Sequence, residues 1–137
     1  MAGSNTFGGT IKLEGEKAYR QAITQINSDL KVLASEMGKV TAEFSKNDKS
    51  TSSLTSKSKV LNEQIDRHKE KIATLKGALE QSSEKYGEND KHTNNWKTSL
   101  NKAESELSQM ETSLSEVNSE MSKSATPLNK LISELSS

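Results

Sequence analysis

The sequence predicts an all-α protein whose long amphipathic helices pack lengthwise as a coiled coil. Three observations carry that expectation. Apolar residues recur in steps of three and four, without a slip, from Ile23 to Leu135, the spacing that lines side chains along one narrow seam of an α-helix. Few apolar residues lie off that seam, and most of those are alanines. Two turn signals, at 45–53 and 87–90, divide the pattern into three stretches of similar length. An antiparallel up-down-up hairpin, or three-helix arrangement, follows from such a division; one extended helix in a parallel oligomer is the alternative.

Taken in order, residues 1–15 read as a flexible N-terminal segment, with an alternating Ile11-Lys12-Leu13 that would need a partner to form a strand. The first helix is expected over about 16–48, with seam residues Ile23, Ile26, Leu30, Leu33, Met37, Val40 and Phe44. Acidic residues near its start suit the helix dipole. At 45–53 the seam positions fall on Asn47 and Thr51, among side chains that compete for backbone hydrogen bonds and favour turns and caps. The second helix is expected over 54–86, with Leu61, Ile65, Ile72, Leu75 and Leu79 on the seam. Gly87, Glu88, Asn89 and Asp90 form the hairpin turn: glycine suits the position just past a helix and aspartate the N-cap of the next. The third helix is expected over 91–123, with Trp96, Leu100, Leu107, Met110, Leu114, Val117 and Met121. Thr126 and Pro127 read as N-cap and first residue of a short C-terminal helix within 124–137, the start of a longer chain.

Charge discriminates between the two arrangements. The charged residues flanking the seam are all lysine on the second helix (Lys57, Lys69, Lys71, Lys76, Lys85) and mostly glutamate on the third (Glu104, Glu106, Glu111 and Glu120, against Lys97). A parallel oligomer would set Lys71 against Lys76 and Glu106 against Glu111. Folding back at Gly87 instead brings Lys71 near Glu106 and Lys57 near Glu120, and stacks Leu79 on Trp96, Leu75 on Leu100, Ile65 on Met110 and Leu61 on Leu114. A register one heptad away, with Tyr86 against Trp96, serves nearly as well. Each exposed pair contributes only about 0–1 kcal/mol, so these charges select a topology more than they stabilise it.

Composition narrows the function classes. Only 30% of the chain is hydrophobic and 4% aromatic, too little for the wide apolar faces of an ordinary globular core. Nineteen basic and 19 acidic residues cancel, and no long basic block predicts binding to nucleic acid or an anionic membrane. The absence of cysteine removes disulfides, thiolate nucleophiles and cysteine zinc sites. Residues 1–10 do not form a signal peptide, and no stretch approaches the roughly 20 apolar residues of a membrane span. The expectation is a soluble protein made in the cytoplasm, with no membrane contact from this segment.

No catalytic constellation emerges. Gly8-Gly9 lacks the spacing and lysine of a phosphate loop. His68 and His92 stand 24 positions apart with no metal-ligand motif around either, and a polar residue on a seam more often sets register than binds a ligand. Carboxylates are scattered along faces expected to be solvated, with no cleft to tune them. No enzyme, cofactor or metal site is predicted. Trp96 and Tyr86 read as core anchors, Met37, Met110 and Met121 as core filling, and Asn47, Thr51, Asn89 and Thr93 as turn residues.

Two blocks carry a resemblance. GTIKLEGEKAYRQAI at 9–23, followed by Ile26, Leu30, Leu33, Glu36-Met37 and VTAEF at 40–44, resembles the opening of tail tape measure proteins from long-tailed phages and prophages of Gram-positive bacteria. The stretch 61–114, with EKYGENDK at 84–91 and Trp96, resembles the coiled coil that follows in those proteins. The match spans about 9–121, most of the chain. It implies a virion structural protein that occupies the tail tube and sets tail length. It also implies self-association, contacts with the tail tube and the tail assembly chaperone, and residence in the host cytoplasm during assembly and then in the virion tail. Helix length scales linearly with residue number, which suits a ruler, but 137 helical residues span only roughly 200 Å. The chain is therefore expected to be an N-terminal piece, a truncated prophage copy or an expressed fragment of such a protein. A stand-alone adaptor whose seam receives a foreign amphipathic helix is the alternative.

Overall fold

In the computed structural model, residues 9–44 and 50–136 are described, with side chains as far as Lys123. The protein is an all-α three-helix bundle made of α1 (Glu16–Glu43), α2 (Thr51–Tyr86) and α3 (Lys91–Ser136). No strand occurs among the described residues. Successive helices run antiparallel. His68 on α2 lies opposite Ala103 on α3, and Ser82 opposite Thr93; Arg67 on α2 reaches Asp29 on α1. Leu75, Leu100, Ile72 and Ala103 form the core cluster, with Leu79, Trp96, Leu107 and Ile23 packed against it. This is the hairpin register that sets Leu79 by Trp96 and Leu75 by Leu100.

The helix ends differ from the sequence expectation in ways local chemistry explains. α1 stops at Glu43, where Phe44 becomes extended and its N–H still bonds Val40 O. The expected extension to residue 48, and Asn47 with it, falls outside the described residues. α2 begins at Thr51 rather than 54, because Ser50 supplies the N-cap, its hydroxyl accepting from the Ser53 N–H at 3.2 Å; that bond satisfies an otherwise orphan donor. The expected break at Thr126-Pro127 is absent. α3 runs unbroken to Ser136. A proline inside a helix costs about 3 kcal/mol, and the three-and-four spacing of apolar residues continues beyond it through Leu128, Leu131 and Leu135.

α2 is the middle helix and buries two faces. One is the seam: Leu54, Leu61, Ile65, Ile72 and Leu75 are all buried. The other is made largely of small side chains, among them Ser53, Val60, Ala73, Thr74, Gly77 and Ala78, and small residues let a neighbouring backbone come close.

That close approach is made by residues 9–15, which lie along α2 before the chain turns at Gly15 into α1. The Ile11 N–H donates to Ala73 O at 3.0 Å, and Gln81 Nε2 donates to Leu13 O at 3.1 Å. Lys12 pairs with Glu80. The Leu13 N–H donates to the Tyr19 hydroxyl at 2.9 Å, so Tyr19, 1% exposed, ties this strap to α1. A Cβ on Gly77 would collide with the Ile11 carbonyl oxygen and stand 2.9 Å from Tyr19 Cε1. Replacing Gly77 by alanine is therefore expected to displace the strap and destabilise the protein by about 1–3 kcal/mol, the usual range for overpacking. The Ile11 amide should at the same time lose its protection in hydrogen exchange. Unchanged melting and unchanged Ile11 protection would show that the strap does not pack on Gly77.

Candidate functional site

Because α2 sits between them, α1 and α3 flank it without joining. No Cα of α1 comes within 8 Å of a Cα of α3 among the described residues. Between them lies an open groove of about 520 Å³, walled by Glu16, Arg20, Ile23 and Thr24 on α1 and by His92, Asn95, Trp96 and Ser99 on α3. Side chains of the two helices nevertheless meet. Tyr19 and Trp96 meet edge to face, their ring centroids 6.5 Å apart and their planes at 65°, a geometry that contributes about 0.5–1.5 kcal/mol beyond area burial.

The seam residues divide according to their distance from α2. Ile26, Leu33, Leu61, Ile65, Ile72, Leu75 and Leu100 are buried. Ile23, Leu30, Met37 and Val40 on α1, Phe44 just past its end, Leu79 on α2, and Trp96, Leu107, Met110, Leu114, Val117 and Met121 on α3 are only half-buried. On α3 the change comes after Ala103, so the outer half of the helix keeps a continuous apolar stripe that α2 alone does not cover.

The expected hairpin turn forms between α2 and α3. Gly87 ends α2 with φ +99°, a conformation glycine adopts at no steric cost, and its N–H bonds Ser83 O at 2.9 Å. Glu88 and Asn89 form the exposed tip, and Asp90 caps α3, its carboxylate accepting from the His92 N–H and from His92 Nδ1, both at 2.8 Å. Those bonds, the backbone one foremost, hold the Asp90 carboxyl below its ordinary value. Thr93 is buried inside the first turn of α3, donating to Gly87 O at 2.7 Å and bonding Ser82 Oγ at 3.0 Å. It therefore fastens the turn from within a helix. Thr51 is the first residue of α2. Tyr86, expected as a core anchor, is 38% exposed. At the hairpin tip it stacks on His92 with centroids 4.2 Å apart, while Trp96 takes the core place beside Leu79.

His68 is buried within the α2–α3 interface at 1% exposure. Its Nε2–H donates to Ala103 O at 2.8 Å, which fixes the neutral tautomer with the lone pair on Nδ1. Nδ1 is buried with no hydrogen-bond partner. Desolvation pulls the His68 pKa below 6.5, and Lys71 adds to this; the Ala103 carbonyl and Glu106, 3.6 Å from Nε2, oppose it. Lys71 and Glu106, which the sequence expectation brings near each other, thus both act on His68. Among the described residues no three histidines, cysteines or carboxylates gather as metal ligands, and no helix is long and apolar enough to cross a membrane.

Three features escaped the sequence reading. Tyr19 stands seven residues before Ile26 and fourteen before Leu33 on the same heptad position, so counting the seam back one repeat finds it. The second buried face of α2 was signalled only by the small residues in ATLKGA at 73–78. The burial of His68 follows from its seam position, but its bond to Ala103 O does not. No protein-family model matches the sequence, and no curated protein or solved structure shows significant similarity to it.

A histidine whose folded pKa is depressed binds fewer protons folded than unfolded, so its contribution to stability is full above 6.5 and declines as pH falls below that value. The midpoint of urea unfolding is accordingly expected to be lower at pH 5 than at pH 7.5. Replacing His68 by leucine should reduce that difference, and an equal difference in both proteins would show that His68 does not titrate against folding.

Proposed function

We propose that this chain is the N-terminal helical module of a phage tail tape measure protein, acting by packing and self-association rather than by catalysis. The observation that carries this reading is the resemblance of GTIKLEGEKAYRQAI at 9–23 and EKYGENDK at 84–91 to the corresponding parts of that family. In the fold, the first block supplies the strap on α2 and the start of α1. The second supplies the turn that sets the α2–α3 register. Both are therefore assembly elements of one module rather than interchangeable heptads. The ionisable groups suit a packing role: His92 is engaged by Asp90 at the surface, and His68 is engaged by a backbone carbonyl. On this reading the partners are other copies of the chain, the tail tube and the tail assembly chaperone. The protein resides in the host cytoplasm during assembly and in the virion tail afterwards.

The open groove between α1 and α3 favours one second reading, an adaptor that accepts a foreign amphipathic helix. Sequencing the source DNA past codon 137 separates the two. An open frame continuing for hundreds of codons, with further heptads and apolar segments, is the expected result. Capture with the chain as bait should then retrieve tail tube protein from a lysate of induced cells. An intact gene that stops after Ser137 would remove the ruler and leave the adaptor.

A further inference from the structure

Of the buried residues along the α2 seam, Leu54, Leu61, Ile65, His68, Ile72 and Leu75, only His68 can ionise. The neutral ring suits its place. Nε2–H is committed to Ala103 O, and Nδ1, buried without a partner, is an acceptor only. A proton on Nδ1 would turn that atom into a donor and the ring into a cation, and a buried charge without a hydrogen-bond partner costs far more than a neutral atom without one. No neighbouring charge relieves this. Glu106 of α3 stands 3.6 Å from Nε2, the nitrogen already engaged, and Lys71 of α2 opposes a second positive charge. Asp29, the nearest carboxylate on α1, is paired with Arg67.

The two sides of His68 are unequally fastened. Toward the hairpin tip, residues 87–90 join the helices covalently, Thr93 bonds both Gly87 O and Ser82 Oγ, and the core cluster of Ile72, Leu75, Leu100 and Ala103 closes the seam. Away from the tip, the His68–Ala103 pair sets Ile65, Leu61 and Leu54 level with 106, 110 and 117. There Met110, Leu114 and Val117 of α3 are only half-buried, and no turn joins α3 to α2 at that end. We propose that His68 is an acid-operated latch, whose protonation at Nδ1 parts the outer half of α3 from α2 and wets Leu54, Leu61 and Ile65 while the core cluster and the turn stay closed. The proton comes from solvent, and the wetted ring donates to water through both nitrogens. Because the buried ring resists protonation and the wetted one titrates at its ordinary 6.5, each opening below that value takes up a proton and is favoured by acid. The latch goes beyond the tape measure reading and does not depend on it.

Thiol labelling tests it, since no native cysteine competes. Leu61→Cys places a thiol under the outer half of α3, and Leu100→Cys places one in the core cluster. Each labelling rate is divided by that of an unstructured cysteine peptide at the same pH. On that scale the Leu61→Cys thiol should react up to about 30-fold faster at pH 5 than at pH 7.5, the limit for a histidine that titrates normally only when exposed. At pH 5 it should also react faster than the Leu100→Cys thiol, and Trp96 fluorescence should match its value at pH 7.5. His68→Gln, which keeps an N–H donor for Ala103 O but does not titrate, should abolish the acceleration, and His68→Leu should do the same. His92→Gln, which removes the other histidine, should leave it intact. No acceleration at pH 5, acceleration that survives His68→Gln and His68→Leu, equal exposure of the two thiols at pH 5, or loss of the Trp96 signal there would each overturn the latch.

Discussion

The bundle depends on α2 having two faces to bury with apolar side chains sufficient for one. The row of large apolar side chains through Leu61, Ile65, Ile72 and Leu75 is buried in the bundle, and at Ile72 and Leu75 it packs against α3. Toward α1 and the residues before it, α2 has instead Ala73, Thr74, Gly77 and Ala78, which fill little volume themselves. Close packing is reached there by bringing backbone to backbone, and the absence of a side chain at Gly77 lets the Ile11 peptide settle against the helix. Main-chain bonding and one buried aromatic residue, Tyr19, do the fastening that leucines perform on the opposite face.

The rest of the arrangement follows from that asymmetry. A strap held at Ala73 and Gln81 fixes where α1 begins, and α1 then descends along α2 with Ile26 and Leu33 turned inward. With α1 and α3 both committed to α2, neither covers the other, and the outer parts of their seams remain half-exposed. His68 sits within the α2–α3 seam at a place where apolar packing would have served stability alone. Its single bond to a helix carbonyl marks the register between the two helices, at the cost of an unpartnered Nδ1, since a buried polar atom without a partner is destabilising.

The three-helix architecture was legible because heptad spacing, glycine at 87 and the opposed charges of the second and third helices all report the same physics, the period of the α-helix and the geometry of reversal. Leu75 and Leu100 could be placed together from sequence for that reason. What was not legible depends on tertiary approach. Residues 11–13 carry no periodicity that announces a strap, and glycine at 77 reads in isolation as a weak helix residue rather than as a site of contact. Tyr86 and Trp96 look equivalent on the seam, yet only Trp96 has helix on both sides of it, so only Trp96 joins the core. Proline at 127 misled for a related reason: its local preference for a first helical turn was outweighed by the helix on either side.

The central place of α2 also has a mechanical meaning. The strap crosses α2 between Ala73 and Gln81, in the half nearer the hairpin tip, whereas α3 runs on to the opposite end of the bundle. Tension applied between these two points loads both helix interfaces in shear, so whole rows of contacts must give way together. Once they do, the helices need not melt. Segments of 28, 36 and 46 residues laid end to end reach roughly 165 Å, against roughly 70 Å for α3 alone. Separating the three helices without melting them would therefore more than double the length the bundle spans.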